Sequence, residues 1–483
     1  MATNAKDVSV VLSKQAAQSV SPLPAWLQRL KHLLGLDRAI VYTVLARVVQ
    51  ILGSTGTVLL ILRFLSPVEQ GYYYTLLSLV SLQTVFELGF SFVILQLAAH
   101  ECAHLTLHPD GRIEGDPVAH ARLASVLQKT LRWYLVAAAI LCVSLLPLGT
   151  YFFSRQGPTS TQVEWHGPWI AAVFATSVLF FLNPFASFLE GCGQVWQVGR
   201  MRFGQAILGA VMSWSTLATH HGLYAPAMMI FGNASAVFLF LCTRSRLYAQ
   251  LWNHPRWNRG VSWMREVWPF QWKLGVSWTA TYLSVTALTP ALFAYRGSIE
   301  AGQFGMSLSI TSYLSTLTLA WMSTKASPFG RMVVRRDFQE LDRVFFRALA
   351  QSTVFLSGLS VICEASVLGF KSLAPRLANR MLSPTLFAVL LLTGVASFLV
   401  QSMAIYLRAH KYEPFLWQSI VVASLTTALL LAFIPRWGLS GAVVTYLLCT
   451  GIVGLTAAST IFRRHRRANL ARDLRESNEN CLN

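Results

Sequence analysis

Three groups of residues in this 483-residue chain could do chemistry. The first is HECAH, His100 to His104, which has the His-Glu-x-x-His spacing. On a helix that spacing sets two imidazoles one turn apart on one face, where both could bind zinc. The Glu between them could then act as general base toward a metal-bound water. Such a centre also needs a rigid third ligand. The acids that follow, Asp110, Glu114 and Asp116, sit in HPDGRIEGDP, which reads as a flexible loop, and His108 precedes a proline, where helices usually end. HECAH is therefore expected to mark the end of a helix at a membrane interface. The alternative, a membrane zinc peptidase, is the remote one, and no metal or cofactor is expected.

The second and third groups are charges inside long apolar runs. Arg47 lies in VLARVVQIL, Lys273 in PFQWKLGVSW and Glu87 in TVFELGF. A charge within an apolar span is costly and usually faces a partner or a cavity. Arg grips a phosphate or diphosphate bidentately and Lys meets it as a point charge, so these two cations suit an anionic substrate. Their structural alternatives are an Arg47–Glu87 ion pair and a Lys273 that snorkels to the interface. Glu87 is read either as a proton- or ion-coupling carboxylate or as that pair's anion. Trp278 is placed to stack on a sugar ring or to pack between helices. Pro184, Pro269 and Pro290 interrupt or bracket spans and are candidate hinges.

The elements that must position these residues follow from composition. Hydrophobic residues make up 54% of the chain and charged residues 12%, with a mean hydropathy of +0.49. Soluble domains average about 25% charged, so the chain reads as a polytopic, all-α membrane protein. The net charge of +19 sits mostly in short connections between apolar runs, which argues against a nucleic-acid partner. The seven cysteines are scattered, without a CxxC, and suggest neither a disulfide framework nor a zinc ribbon.

About twelve segments are long and apolar enough to span a bilayer, beginning near residue 40 and ending near 462. Numbering the connections alternately puts thirty Lys and Arg on one side, both tails included, and seven on the other. That asymmetry predicts cytoplasmic termini. The expected organisation is a cytoplasmic tail with an amphipathic surface helix (1–38), a six-helix bundle (39–246), a cytoplasmic linker (247–265), a second six-helix bundle (266–464) and a basic tail (465–483). The chain also repeats itself. SPVEQGYYYTLLSL from Ser66 aligns without gaps on GSIEAGQFGMSLSI from Gly297, an offset of 231 that sets Gly71 on Gly302. GLYAPA at Gly222 matches GLSGAV at Gly438. Two copies with even span counts share one orientation and should face each other across a central cavity.

FLSPVEQGYYY, ELGFS and GLSGAVVTYLL, set in this span plan, resemble the polysaccharide-exporter (O-antigen flippase) branch of the multidrug/oligosaccharidyl-lipid/polysaccharide exporter superfamily. The resemblance covers about residues 40–462. It implies a multi-pass protein of the bacterial inner membrane that moves an undecaprenyl-diphosphate-linked oligosaccharide to the outer leaflet by alternating access. It also implies a coupling proton or sodium ion, contact with membrane lipid and a polysaccharide polymerase as a possible partner. Arg47 and Lys273 would meet the diphosphate. The alternative is an ion-coupled multidrug antiporter. Relatives of that kind carry organic cations, often with an acidic residue in the first span, where this chain has Arg47. No GxxxxGK[ST] loop is present for an ATP-driven pump, and no connection is long enough for a catalytic domain, so a transporter rather than an enzyme is expected.

Overall fold

The computed structural model describes residues 38–107, 112–155, 163–252, 264, 268–334, 337–373, 379–409 and 415–482. The expected N-terminal tail and surface helix, His108, Asp110 and most of the 247–265 linker lie outside the described residues.

Helices dominate. The first half comprises α1 (Arg38–Phe64), α2 (Pro67–Val80), α3 (Gln83–Glu87), α4 (Phe90–Cys102), α5 (Pro117–Arg155), α6 (His166–Gly191), α7 (Val195–Ala218) and α8 (Ala225–Cys242). Between α4 and α5, β1 (Leu105–Leu107) pairs antiparallel with β2 (Ile113–Gly115), so part of the expected loop is a small ribbon with Thr106 opposite Glu114. The second half follows the short α9 (Ser245–Trp252). It comprises α10 (Trp268–Thr286), α11 (Leu288–Arg296), α12 (Ser298–Ser323), α13 (Ala326–Val334), α14 (Phe338–Leu373), α15 (Pro384–Arg408), α16 (Leu416–Tyr446), a π-helical stretch (Leu447–Gly454) and α17 (Leu455–Leu482).

Among the described residues, six helical runs are long and apolar enough to cross a membrane: Pro117–Arg155, His166–Gly191, Gly222–Cys242, Phe338–Gly369, Pro384–Arg408 and Leu416–Ala468. The last is 53 residues long and bends at Gly438, whose φ of 53° interrupts the helix. The remaining expected spans are also helical; Leu52–Phe64 of α1 is apolar, whereas α7, α10 and α12 carry many Ser, Thr, Gln and Arg residues, which lowers their hydropathy. Several of those polar residues line cavities described below.

Local chemistry sets the helix limits. Ser66 and Glu69 cap α2 reciprocally: Ser66 N–H donates to Glu69 Oε2 at 2.7 Å and Glu69 N–H to Ser66 Oγ at 3.2 Å, with Pro67 in the first turn. Proline also opens α15. The break between α10 and α11 falls just before Pro290, which has no N–H to donate and crowds the preceding turn. The break between α3 and α4 has no proline. Leu88 and Gly89 are both left-handed there, at φ 50° and 66°, a costly conformation for leucine.

Each half packs mainly on itself. In the first half, α7 lies along α1 and α8, α8 on α6, and α6 on α5 and α4; in the second, α10 lies along α16, and α12 along α14 and α15. The second half has its own aromatic core of Phe329, Phe345, Phe398, Tyr406 and Phe462. The turns after α1, α11 and α14 and the Gly438 kink within α16 meet at one end of the molecule, through Gln70, Gly302, Arg380 and the contact of Glu300 with Leu439 N–H. The Arg122–Glu101 and Arg202–Glu190 pairs join the last turns of α4 and α6 to the early turns of α5 and α7, and Arg466 within α17 pairs with Asp342 near the start of α14.

Candidate functional site

Each half holds a polar pocket. The first, about 510 Å³, lies among α1, α2, α7 and α8, with Tyr313 of α12 reaching in from the other half. Its polar wall is Gln50, Ser54, Thr57, Arg202, Gln205 and Asn233. Gly209 makes room for the Asn233 amide, because a Cβ there would stand 2.4 Å from Asn233 Oδ1. Trp214 Nε1–H donates to Thr57 Oγ1 at 2.9 Å and fixes α7 against α1. Arg202 is already neutralised, its Nη2 lying 2.9 and 3.0 Å from the two carboxylate oxygens of Glu190.

The second pocket, about 420 Å³, lies among α10, α15, α16 and the π-helical stretch, with Thr84 of α3 reaching in from the first half. Ser277, Thr281, Gln401, Gln418 and Ser419 give it hydroxyl and amide groups, Trp278 supplies an aromatic face, and Arg408 stands at the last residue of α15. Ser277, Thr281 and Ser419 are linked through their hydroxyls at 3.2 Å. No carboxylate is among the described lining residues of either pocket.

A third cavity, about 520 Å³, is apolar. Val58, Leu59 and Leu62 of α1 face Ile310, Leu314 and Leu317 of α12, with Val367 of α14 closing the far side. Ser54 and Tyr313 line both this groove and the first polar pocket, so the two are continuous. The corresponding flank between α2–α4 and α10 is filled. A Cβ on Gly275 would already lie 3.0 Å from Leu88 Cβ, and Tyr282 O–H donates to Ser78 O at 3.3 Å.

The halves are clasped where α2 crosses α12. A Cβ on Gly71 would fall 2.0 Å from Ser298 O, and one on Gly302 would fall 2.9 Å from Gly71 N. The glycines that the 231-residue repeat aligns are thus packed against each other, backbone to backbone. Beside them Gln70 Nε2–H donates to Gly302 O and Arg380 O, both at 2.9 Å. Arg380 Nε–H donates to Gln70 Oε1, and its Nη2–H to Leu65 O, each at 2.7 Å. Burial lowers the Arg380 guanidinium pKa below its ordinary value, with Glu69 and Tyr74 opposing.

The residues singled out from sequence do not converge on one point. Arg47 is on α1, but its side chain lies outside the described residues. Lys273 is on α10 and exposed, with Nζ 5.9 Å from the Trp272 ring centroid. Glu87 ends α3, part-buried, and accepts from Ser91 Oγ at 2.5 Å, with Tyr134 Oη 3.4 Å from the same hydroxyl. Trp278 lines the second pocket. Pro184 lies within an unbroken α6, Pro269 in the first turn of α10 and Pro290 in that of α11.

HECAH does not form one helical face. The helix α4 ends at Cys102, so His104 lies beyond it, and the two imidazole centroids are 6.4 Å apart and near-perpendicular. Glu101 is buried and pairs with Arg122 Nε at 2.8 Å. Cys102, inside the motif, approaches Cys192 to 2.6 Å between sulfurs. Gly191 permits that approach, since a Cβ there would meet Leu95 O at 2.4 Å.

The pocket residues Gln50, Gln205, Tyr313 and Gln418 were missed by sequence reasoning. A signal existed: Gln50, Ser54 and Thr57, and again Ser277, Thr281 and Ser284, recur at i, i+4, i+7 and so share a helix face.

No family model matches the sequence, and no curated protein matches it. Solved structures do. An inward-facing multidrug resistance MATE family transporter of the MOP superfamily matches with a TM-score of 0.61 at 12% identity, over 90% of this chain and 99% of that one. An outward-facing conformation of such a transporter matches at 0.53 and 12% identity, over 90% and 97%. A MOP superfamily transporter from Pyrococcus furiosus, described as having a binding pocket of reverse polarity that suggests a different function, matches at 0.54 and 12% identity, over 89% and 95%. The chain therefore has the fold of the MOP superfamily transporters.

Proposed function

We propose that this chain is a twelve-span, alternating-access flippase for an amphiphile, an oligosaccharide linked through diphosphate to a polyprenyl lipid. The observation that carries the reading is the continuity of a carboxylate-free polar pocket with an apolar groove through Ser54 and Tyr313. A water-soluble solute has no use for the groove, and an organic cation finds no anion among the described lining residues of these pockets. An amphiphile fills both, with its glycan between the halves and its tail along α1 and α12. The clasp at Gln70 and Arg380 lies at the end that the charge asymmetry reads as outer, which makes this the inward-facing state.

In this cycle the headgroup enters from the cytoplasmic side, and Arg47 and Lys273 meet the diphosphate. Arg408, at the end of α15, extends the basic field at that end. The halves then rock, with Pro184, Pro269, Pro290 and the Leu88–Gly89 break taking up the change. Glu87 takes and releases a proton in step. The carrier performs no covalent chemistry and sits in a bacterial inner membrane.

The second reading, multidrug efflux, is favoured by the multidrug transporters that share the fold. One experiment separates the two. Purified protein in liposomes is given a fluorescent undecaprenyl-diphosphate sugar and, separately, a cationic dye under an imposed proton or sodium gradient. Flipping of the lipid without accumulation of dye is expected, and Arg47→Ala should slow flipping at least about tenfold. Gradient-driven dye uptake with no flipping would establish the efflux reading.

A further inference from the structure

We infer that the two polar pockets are a repeated pair of subsites for uncharged sugar residues, one in each half, so that the glycan carried is neutral rather than acidic or cationic. This inference rests on the flippase reading above.

The pockets are equivalent by position. The repeat offset of 231 carries Gln50, Gly53 and Ser54 of the first pocket onto Thr281, Ser284 and Val285 of the second. The pocket-lining faces of α7 and α16 coincide at an offset of 213, three residues short of the offset that matches Gly222 to Gly438, and this carries Arg202, Gln205, Ala206 and Gly209 onto Phe415, Gln418, Ser419 and Val422. Each pocket also takes one residue from the opposite half, Tyr313 in the first and Thr84 in the second. Two glutamines, Gln205 and Gln418, therefore occupy matching places across the cleft. Volumes of about 510 and 420 Å³ fall within the usual range for small-ligand sites, ~300–1,000 Å³.

The chemistry of the walls selects the occupant. Amides and hydroxyls each donate and accept, which matches the alternating needs of sugar hydroxyls. Gln418 shows an unmet need: its Nε2–H donates to Gly454 O at 2.7 Å, while its Oε1 is buried with no donor among the described residues. A sugar hydroxyl supplies that donor. Trp278 offers an apolar face to the C–H side of a pyranose ring. Among the described residues, the first pocket offers a uronate carboxylate only Arg202, which Glu190 holds, and the second only Arg408, at the end of α15. An ammonium-bearing sugar would find no carboxylate among the described lining residues of either. Burying either charge unpaired is costly.

The test compares two synthetic undecaprenyl-diphosphate lipids in proteoliposomes, alike except that one carries a neutral trisaccharide and the other a uronate-containing trisaccharide. The neutral lipid should be flipped at least about tenfold faster, and Gln205→Ala and Gln418→Ala should each lower its rate about tenfold, the loss of one or two hydrogen bonds. Gln205→Asn and Gln418→Asn, with melting temperatures measured alongside, show whether a slow variant is merely unfolded: a well-folded Asn variant should also be slow, since its amide is withdrawn by one methylene. Equal or faster flipping of the acidic lipid, or well-folded glutamine variants with wild-type rates, would overturn the paired subsites and leave the flippase intact. If neither lipid is flipped, the flippase reading itself fails.

Discussion

Gly71→Ala should cut transport by at least about 100-fold and hold the Gln70 end of the molecule open. The added Cβ would lie 2.0 Å from Ser298 O, 2.5 Å from its carbonyl carbon and 2.8 Å from its Cα. All three are backbone atoms, so no rotamer change relieves the contact. The only relief is to separate α2 from α12, which is also the motion that opens this end. Overpacking costs about 1–3 kcal/mol where side chains can yield, and more against backbone, so the closed state should lose at least two decades of population. Spin labels on α2 and α12 near this end would report a lengthened distance. Gly204→Ala is the control: its Cβ would meet nothing within 4 Å, and in a helix it should leave the rate unchanged.

Arg380→Ala should have the next largest effect, in the same direction. The guanidinium makes two charge-assisted hydrogen bonds at 2.7 Å, to Gln70 Oε1 and Leu65 O, which tie the segment before α15 to the α1–α2 turn. Hydrogen bonds to charged groups contribute about 1.5–3 kcal/mol each, less here because Arg380 is only half-buried. A net loss of about 2 kcal/mol would move an inward-to-outward equilibrium roughly thirtyfold. Arg380→Lys should lie between, since an ammonium cannot make both bonds in the guanidinium's fork geometry. Labels across the clasp should show the longer distance partly populated in Arg380→Ala. An unchanged distance distribution would mean that the glycine crossing alone holds this end closed.

Part of this arrangement was legible in the sequence. The offset of 231 set Gly71 on Gly302, and the fold places those two backbones in contact. The capping box at Ser66 and Glu69 and the proline just after the α10–α11 break are local signals. The pockets were harder to see. Their walls come from four helices each, and the second half of the repeat is held at another offset because the intervening connections differ in length. Only that change of register brings Gln205 onto Gln418. The break at Leu88–Gly89 carries no proline; a leucine in the left-handed region is held there by packing against Gly275, which no local pattern announces. Arg380 and Arg202 counted only as orientation charges, because their partners lie far away in sequence. HECAH misleads for the opposite reason: the spacing is present, but the helix stops at Cys102 and leaves His104 outside it.

The most direct measurement of the central claim is to map where the lipid tail rests. An undecaprenyl-diphosphate sugar with a photoreactive group on its tail would be bound to purified, reconstituted protein, irradiated, and the labelled peptides identified. Label should concentrate on Val58–Leu62 and Ile310–Leu317, which line the apolar groove, and unlabelled lipid should compete it away. Label confined to the sealed α2–α10 flank, or label indifferent to competition, would contradict an amphiphile seated across the polar pocket and the groove.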